Sequence, residues 1–134
     1  PRLHALPRRL HLRRRRDFEL AYSRGVRVRG EILALVVRRN GLEHSRYGLS
    51  IGRAIWRRAV ERNRVRRILR EAFRLERQAF PAGLDVVLMA ARPRLEPELA
   101  ATRAELTRLV HKAERKLRER EARGPDAPGS PGAE

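Results

Sequence analysis

Apolar residues recur at helical spacing along two long segments of the chain. In the first, roughly Ala59 to Ala79, they take the i, i+3, i+4, i+7, i+8 positions of a helix with one buried face: Val65, Ile68, Leu69, Ala72 and Phe73. The second segment follows Pro97, which suits a first helical turn, and its stripe comprises Leu99, Thr102, Leu106, Leu109, Val110, Ala113 and Leu117. A shorter helix is predicted over DFELAYSRG, which ends at Gly25.

The stretches between these helices have the pattern of β-strands. VRVRGE and ILALVVRR predict one or two strands, and RYGLSIGRAI, after the turn NGLEHS, predicts another. LDVVLMAAR is a continuous apolar run and predicts a buried strand that ends before Pro93. The element order is therefore αβββαβα, which predicts an α+β fold built as a two-layer α/β sandwich.

The two ends of the chain differ in composition from its middle. Residues 1–16 contain seven arginines, two prolines and no acid, and they predict an extended basic arm that becomes ordered on its partner. Residues 17–123 hold the predicted elements and form one domain. Residues 124–134 are rich in proline, glycine and serine and predict a disordered tail.

The charge of the chain indicates a polyanionic partner. Lysine and arginine number 33 against 16 acids, which gives a net charge of +17. Such an excess favours nucleic acid, while no apolar run is long enough to cross a membrane. Almost all of the positive charge is arginine, which reflects genomic codon bias, the use of guanidinium groups for phosphates, or both. The chain has no cysteine, which fits a cytoplasmic protein without disulfides.

Positive charge is concentrated on the side of the first long helix that faces away from its apolar stripe. Like charges one turn apart repel each other, and only Glu61, Glu71 and Glu76 offset them locally. Because a solvated face normally mixes its signs, we predict that this face contacts phosphates rather than water alone. The basic positions are Arg66, Arg67, Arg70, Arg74 and Arg77, extended before the helix by Arg53, Arg57 and Arg58.

Two aromatic residues and a strand of small residues suggest a second surface. Phe18 and Tyr22 lie one turn apart on the short helix, where core packing is the ordinary interpretation. The alternative is a stacking surface for single-stranded bases. That alternative gains weight because the aromatics follow a run of arginines, and because Gly48, Ser50 and Gly52 leave one strand face nearly bare. Trp56 is open to two interpretations, a cap over the long helix or an exposed stacking residue, and the first is favoured.

No motif indicates that the protein carries its own catalytic centre. The chain lacks a phosphate-binding glycine loop, a paired-histidine zinc motif and a nucleophile elbow. Its histidines, at positions 4, 11, 44 and 111, are scattered, and its carboxylates do not cluster. We therefore expect no catalytic residue, no metal or cofactor bound by the protein, and no small-molecule substrate.

The segments RYGLSIG, AVERNRVRRILREAFR and GLDVVLMAARP resemble the protein component of bacterial ribonuclease P, as does RRRRDFELAYSRG near the start. The resemblance covers roughly residues 9 to 117, and the Arg62-Asn63-Arg64 signature within it is highly specific. It implies a left-handed βαβ crossover around the signature helix. It also implies that a catalytic RNA with bound Mg²⁺ removes the 5′ leader of precursor tRNA, and that the protein binds both the RNA and the leader.

The resemblance assigns residues to two surfaces. By the resemblance, the surface for the catalytic RNA comprises Arg62, Asn63, Arg64, Arg66, Arg67 and Arg70, and the charge pattern adds Arg53, Arg57, Arg58 and Arg74. The leader surface comprises Phe18, Tyr22, Ala34, Val36 and Ser50, with Arg13, Arg14, Arg15 and Arg16 beside it. The chain departs from the family at RAIWRR, which is one residue longer than the usual Lys-Lys-Val-Gly-Asn-like turn, and at Val36, where members often carry an aromatic.

Two other functions compete with this prediction. A structural RNA-binding protein of another ribonucleoprotein, such as the ribosome, would need the basic helix but no leader groove. A self-sufficient nuclease would need clustered carboxylates or histidines, which the sequence lacks.

Overall fold

The computed structural model describes residues 6–124. Three helices and four strands follow one another as α1 (Arg15–Arg24), β1 (Val26–Arg29), β2 (Leu33–Arg39), β3 (Arg46–Ser50), α2 (Ala59–Glu76), β4 (Leu84–Ala90) and α3 (Leu99–Arg123). Single 3₁₀ turns at Arg8–Leu10 and Arg77–Ala79 precede α1 and follow α2. The predicted end of the second helix at Ala79 thus includes one turn of tighter helix.

The strands form one mixed sheet in the order β1-β2-β4-β3. β2 pairs antiparallel with both β1 and β4, whereas β3 and β4 are parallel and are joined through α2. The predicted α+β class is confirmed by these elements. The left-handed crossover of the β3–α2–β4 unit stays a prediction of the family resemblance.

Helices α2 and α3 cover one face of the sheet and bury the main core. Alternate residues of β2 and β4 point into it, as the pleat requires, and the helices contribute the apolar stripes predicted from the sequence. Of those stripes, only Ile68 and Leu99 remain partly exposed. The buried residues that β2 and β4 contribute to this core are Leu33, Leu35, Val37, Leu84, Val86 and Leu88.

The opposite face of the sheet carries a smaller apolar cluster beneath α1. Ala21 of the helix packs with Val36, Val87 and Leu12, all of which are buried. Phe18, Tyr22 and Met89 border this cluster and are only partly buried. Helix α1 therefore covers part of the face and leaves aromatic surface at its margin.

The segment before α1 is packed against the sheet, which corrects the prediction of an extended arm through Arg16. Leu10 is 2% exposed and Leu12 is 7% exposed, and the Leu12 N–H donates to the Tyr47 carbonyl at 2.7 Å. Arginines dominate the composition of this segment, so the composition did not indicate that its two leucines are buried. The start of the predicted arm, residues 1–5, and the predicted tail beyond Gly124 lie outside the described residues.

A buried carboxylate joins α3 to the connection between β1 and β2. Glu105 accepts hydrogen bonds from the successive N–H groups of Glu31, Ile32 and Leu33, at 3.0, 2.8 and 2.6 Å. A Cβ at Gly30 would lie within 2.4–2.8 Å of this carboxylate, so a side chain there would have to displace Glu105 from its three N–H donors. Within residues 6–124, no helix is long and apolar enough to cross a membrane.

Candidate nucleic-acid interface

Most arginines assigned to the catalytic RNA are exposed on or just before α2. The helix forms because its apolar stripe packs against the sheet, and this packing directs the opposite, basic face to solvent. The residues fall into two groups. Arg53, Arg57, Arg58, Asn63, Arg64, Arg67 and Arg70 are exposed, whereas Arg62, Arg66 and Arg74 are partly buried.

Two of the partly buried arginines hold the loop that enters α2. Arg62 donates from Nη1 to the carbonyls of Trp56 and Arg57, at 3.0 and 2.6 Å. Arg66 donates from Nη2 to the Ile51 carbonyl at 2.8 Å and from Nη1 to Asn63 Oδ1 at 3.0 Å. These guanidinium groups fix the loop geometry, a role that residue spacing alone could not indicate.

Two other arginines of this surface interact with carboxylates. Arg74 forms a two-pronged ion pair with Glu71, and the hydrogen bond from that carboxylate raises the pKa of Arg74. Arg58 lies 4.0 Å from Glu61. In the part of the chain that the structure describes, the side chains of Arg53, Arg57, Arg64 and Arg67 form no ion pair or hydrogen bond. Within residues 6–124, these four guanidinium groups can therefore pair with a phosphate without first leaving another partner.

Three parallel rows of residues cross β2, β4 and β3 on the face beneath α1. The register aligns Arg38 with Asp85 and Arg46 in the first row, Val36 with Val87 and Gly48 in the second, and Ala34 with Met89 and Ser50 in the third. The first row is charged, the second is covered by α1, and the third remains partly open. An open strip of small and flexible side chains therefore borders the aromatics of α1.

The middle row differs from the sequence-based expectation. Gly48 is not bare, because the ring of Phe18 lies over it. Val36 is 0% exposed and supports the groove from below α1 instead of lining its surface, which corrects its assignment as a contact residue. Ala34 and Ser50 retain exposed surface on the predicted face.

Met89 is a groove residue that the sequence pattern did not single out. It lies between Ala34 and Ser50 in the third row and borders the α1 cluster. It is the only methionine of the chain, and its flexible thioether can adapt to flat ring surfaces. Strand alternation in LDVVLMAAR, which puts Met89 on the face of Val87, was the signal that could have identified it.

A buried ion cluster closes one end of this face. Asp85, 0% exposed, accepts two hydrogen bonds from Arg46, at 2.8 and 2.7 Å, and one from Asn40 Nδ2 at 2.9 Å. Arg38 lies 3.2 Å from the same carboxylate. Arg46 also lies 3.5 Å from Asp17, which links the sheet to α1. The acid within an otherwise apolar strand was the sequence signal for this cluster.

The arginines assigned to the leader do not form one contiguous group. Arg13 and Arg14 line a cavity of about 450 Å³ together with Arg8, Arg9, His11, Asp17 and Arg46. Arg15 lies 3.4 Å from Glu19 on the exposed side of α1, and Arg16 is exposed. His11 packs against Tyr47, with ring centroids 4.7 Å apart. Burial lowers the pKa of His11, and the charges of Arg70 and Arg13 lower it further.

Trp56 lies at the edge of the main core, and its role as a cap over α2 stays a prediction. Its indole Nε1 donates to the Leu95 carbonyl at 2.8 Å, and the ring is partly buried. Trp56 also lines two surface cavities. No group of three histidines, aspartates or glutamates within residues 6–124 is arranged to hold a metal ion.

Comparison with known sequences identifies relatives of this chain. The sequence model of the Ribonuclease P family matches residues 6–114. A ribonuclease P protein component from Pelotomaculum thermopropionicum is 36% identical over 103 residues, which make up 77% of this chain and 91% of the relative. Another, from Pseudomonas putida, is 47% identical over 64 residues, and that match spans 48% of this chain and 47% of the relative.

Solved structures share the fold. The ribonuclease P protein from Thermotoga maritima superposes with a TM-score of 0.68 at 31% identity, covering 76% of this chain and 96% of the other. The Staphylococcus aureus protein, with a TM-score of 0.67 and 22% identity over 78% of this chain and 95% of the other, agrees in fold. The resemblance inferred from the signature helix is thereby confirmed. This chain belongs to the family of bacterial ribonuclease P protein components.

Proposed function

We propose that this chain is the RNA-binding subunit of a cytoplasmic ribonuclease P, in which it helps a catalytic RNA to remove the 5′ leader of precursor tRNA. Family membership supports the assignment. The observation that carries it is the presence of two chemically distinct surfaces in one small domain. One is the arginine face of α2, and the other is the groove formed by α1 and the third row of the sheet.

The arginine face suits the phosphates of a folded RNA. Arg64 and Arg67 are exposed and have no side-chain partner within residues 6–124, so their guanidinium groups can pair with phosphate oxygens without first breaking an ion pair. Pairing of this kind releases counterions and dominates affinity. We assign this face to the catalytic RNA.

The groove suits a single strand. Phe18 and Tyr22 are partly exposed and one turn apart, and Met89 lies at the same margin. A base must leave a duplex before it can stack on an aromatic side chain, and the tRNA leader is single-stranded. We assign this groove to the leader, with Arg13 and Arg14 close enough to the start of α1 to attract its backbone.

The protein's part in the reaction is binding and positioning. Mg²⁺ held by the RNA supplies the hydrolytic chemistry, and the protein's positive face offsets phosphate repulsion between the RNA and its substrate. Holding the leader in the groove orients precursor tRNA relative to the RNA and favours it over the mature product.

The affinity of the assembled enzyme for tRNA substrates with graded leaders tests this function. A holoenzyme made from this protein and a bacterial ribonuclease P RNA should bind precursor tRNA more tightly as the leader lengthens over several nucleotides. The RNA alone should lack this dependence. If affinity did not change with leader length, a structural RNA-binding role without a leader groove would account for the protein better.

A further inference from the structure

The loop that enters α2 is fixed from two sides. From α2, Arg62 donates to the carbonyls of Trp56 and Arg57. From the connection before α3, the Arg94 N–H donates to the Ile55 carbonyl at 2.7 Å, and the Leu95 carbonyl accepts from Trp56 Nε1 at 2.8 Å. A cavity of about 590 Å³ lies between the two segments. These hydrogen bonds tie the two walls of the cavity together.

The lining of this cavity combines an aromatic ring with excess positive charge. Four arginines and one acid, Glu61, line it beside Trp56. The side chains of Arg53, Arg57 and Arg94 form no ion pair or hydrogen bond within residues 6–124. The cavity therefore offers a flat apolar surface and unpaired guanidinium groups in one place. Its volume lies in the range of pockets that hold small organic groups.

The backbone of Arg94 is held in an unfavourable conformation at this site. Its φ of 57° makes it the single residue other than glycine with positive φ among the described residues. That region is sterically costly for a residue with a Cβ, and strain of this kind is found where surrounding structure imposes it. The same residue donates its N–H to the Ile55 carbonyl and lines the cavity, so this backbone angle occurs at the cavity wall.

We propose that this cavity binds one unpaired nucleotide of an RNA partner, with its base against Trp56 and its flanking phosphates paired with Arg53, Arg57 and Arg94. The proposal rests on the RNA-binding function and adds a base-recognising pocket to the arginine face. Arginines alone would hold the phosphates of any duplex, whereas an indole beside them distinguishes a base that has left its helix. The pocket is separate from the leader groove, because Trp56 packs on the core that lies across the sheet from α1.

Trp56 is the only tryptophan of the chain, so its fluorescence reports on this pocket directly. The probe is a single-stranded uridine oligomer of about six nucleotides, compared with an abasic oligomer and an RNA duplex of the same phosphate number. Binding of each probe is measured in parallel by the anisotropy of a label. The uridine oligomer should quench Trp56, whereas the other two should bind through their phosphates and leave its emission unchanged.

Two variants distinguish binding in the pocket from binding to positive charge in general. Arg94→Gly removes the guanidinium group at a backbone angle that glycine adopts freely, so the fold should be retained. It should raise the concentration of uridine oligomer needed for half-maximal quenching about tenfold or more, as expected for the loss of one hydrogen bond between charged groups. Arg115→Ala, which removes an equal charge at an exposed position of α3, should leave the quenching near wild type. Equal effects of the two variants would overturn the pocket.

The outcomes also separate this inference from the proposed function. If all three probes bind without quenching Trp56, or if the abasic oligomer quenches it equally, the base pocket is wrong and the RNA-binding subunit stands. If the protein binds neither these probes nor a bacterial ribonuclease P RNA, both proposals are overturned.

Discussion

The ring of Phe18 occupies the space that a side chain at position 48 would fill. A Cβ built on Gly48 would lie 2.6 Å from Phe18 Cζ and 2.7 Å from Phe18 Cε1, with Leu12 Cβ at 3.2 Å. Separations below about 3 Å between carbon atoms are repulsive. Glycine at this point of β3 is therefore what allows an aromatic of α1 to rest on the sheet, and the position of the groove margin depends on this pair.

Gly48→Ala should displace Phe18 and lower the free energy of unfolding by about 1–3 kcal/mol, the usual cost of an added methyl group in a packed site. Phe18→Ala should restore the missing space. Urea unfolding of the two single variants and the double variant then measures their coupling, which we expect to reach at least about 0.5 kcal/mol. Strictly additive effects would mean that the ring does not rest on Gly48.

Leucine in place of both aromatics should weaken leader binding while keeping apolar packing against the cluster beneath α1. Phe18→Leu with Tyr22→Leu should lower the affinity of the holoenzyme for leader-bearing precursor tRNA by about 1–3 kcal/mol for each base that no longer stacks. Affinity for mature tRNA should not change. The measurement is equilibrium binding of both tRNAs by the assembled enzyme.

Phe80→Leu is the matched control for the groove, since it makes the same chemical change in the main core, where Phe80 is 8% exposed. It should lower the free energy of unfolding without changing how strongly tRNA affinity depends on the leader. If the Phe18 and Tyr22 variant failed to bind either tRNA, or failed to fold, the aromatics would belong to the core alone.

Exposed and loop-holding arginines of α2 should respond differently to alanine. Arg67→Ala should leave the melting temperature unchanged and reduce the salt dependence of catalytic-RNA binding by about one unit of slope for each phosphate that is no longer paired. Arg66→Ala should in addition lower stability, by about 1 kcal/mol, because it leaves the Ile51 carbonyl without its donor. Thermal melts and a salt titration of RNA affinity distinguish the two variants. Identical behaviour of both variants would contradict the assignment of Arg67 to phosphate contact and of Arg66 to the loop before α2.

His11 should make stability depend on pH in the acid range. Its pKa is lowered in the fold, first by burial and then by the charges of Arg70 and Arg13. The unfolded chain therefore binds the proton more readily, so the contribution is present above the unfolded pKa and is lost as pH falls through the folded pKa. The free energy of unfolding should decline from about pH 7 to about pH 5, and His11→Gln should flatten that decline. An unchanged slope in the variant would contradict this origin.

The pattern of apolar residues predicted the helices and strands because each type of element has its own spacing of buried positions. The stripe through Val65, Leu69 and Phe73 packs as predicted because helical spacing fixes which side chains share a face. The basic arm was misjudged because Leu12 is buried against Val36 and Val87, which are distant from it in sequence. Short-range patterns carry no information on such a long-range interaction.

Side-chain partners were the part of the site that the sequence could not supply. Spacing assigned Arg66 and Arg67 to one basic face, yet Arg66 donates to the Ile51 carbonyl before α2, whereas the side chain of Arg67 has no such hydrogen bond within residues 6–124. The family resemblance put Val36 on the same face as Ala34, whereas the burial of Val36 depends on where α1 crosses the sheet. Periodicity gives the direction of a side chain, and tertiary packing decides what covers it.

Cleavage of precursor tRNA by a bacterial ribonuclease P RNA at low Mg²⁺ tests the central claim most directly. The arginine face of α2 and the leader groove together should let this protein replace part of the Mg²⁺ that the RNA requires. Adding the protein should therefore stimulate release of the 5′ leader, and the variant with Phe18→Leu and Tyr22→Leu should stimulate less. Absence of any stimulation by the wild-type protein, under conditions in which the RNA alone cleaves at high Mg²⁺, would contradict its role as the protein subunit.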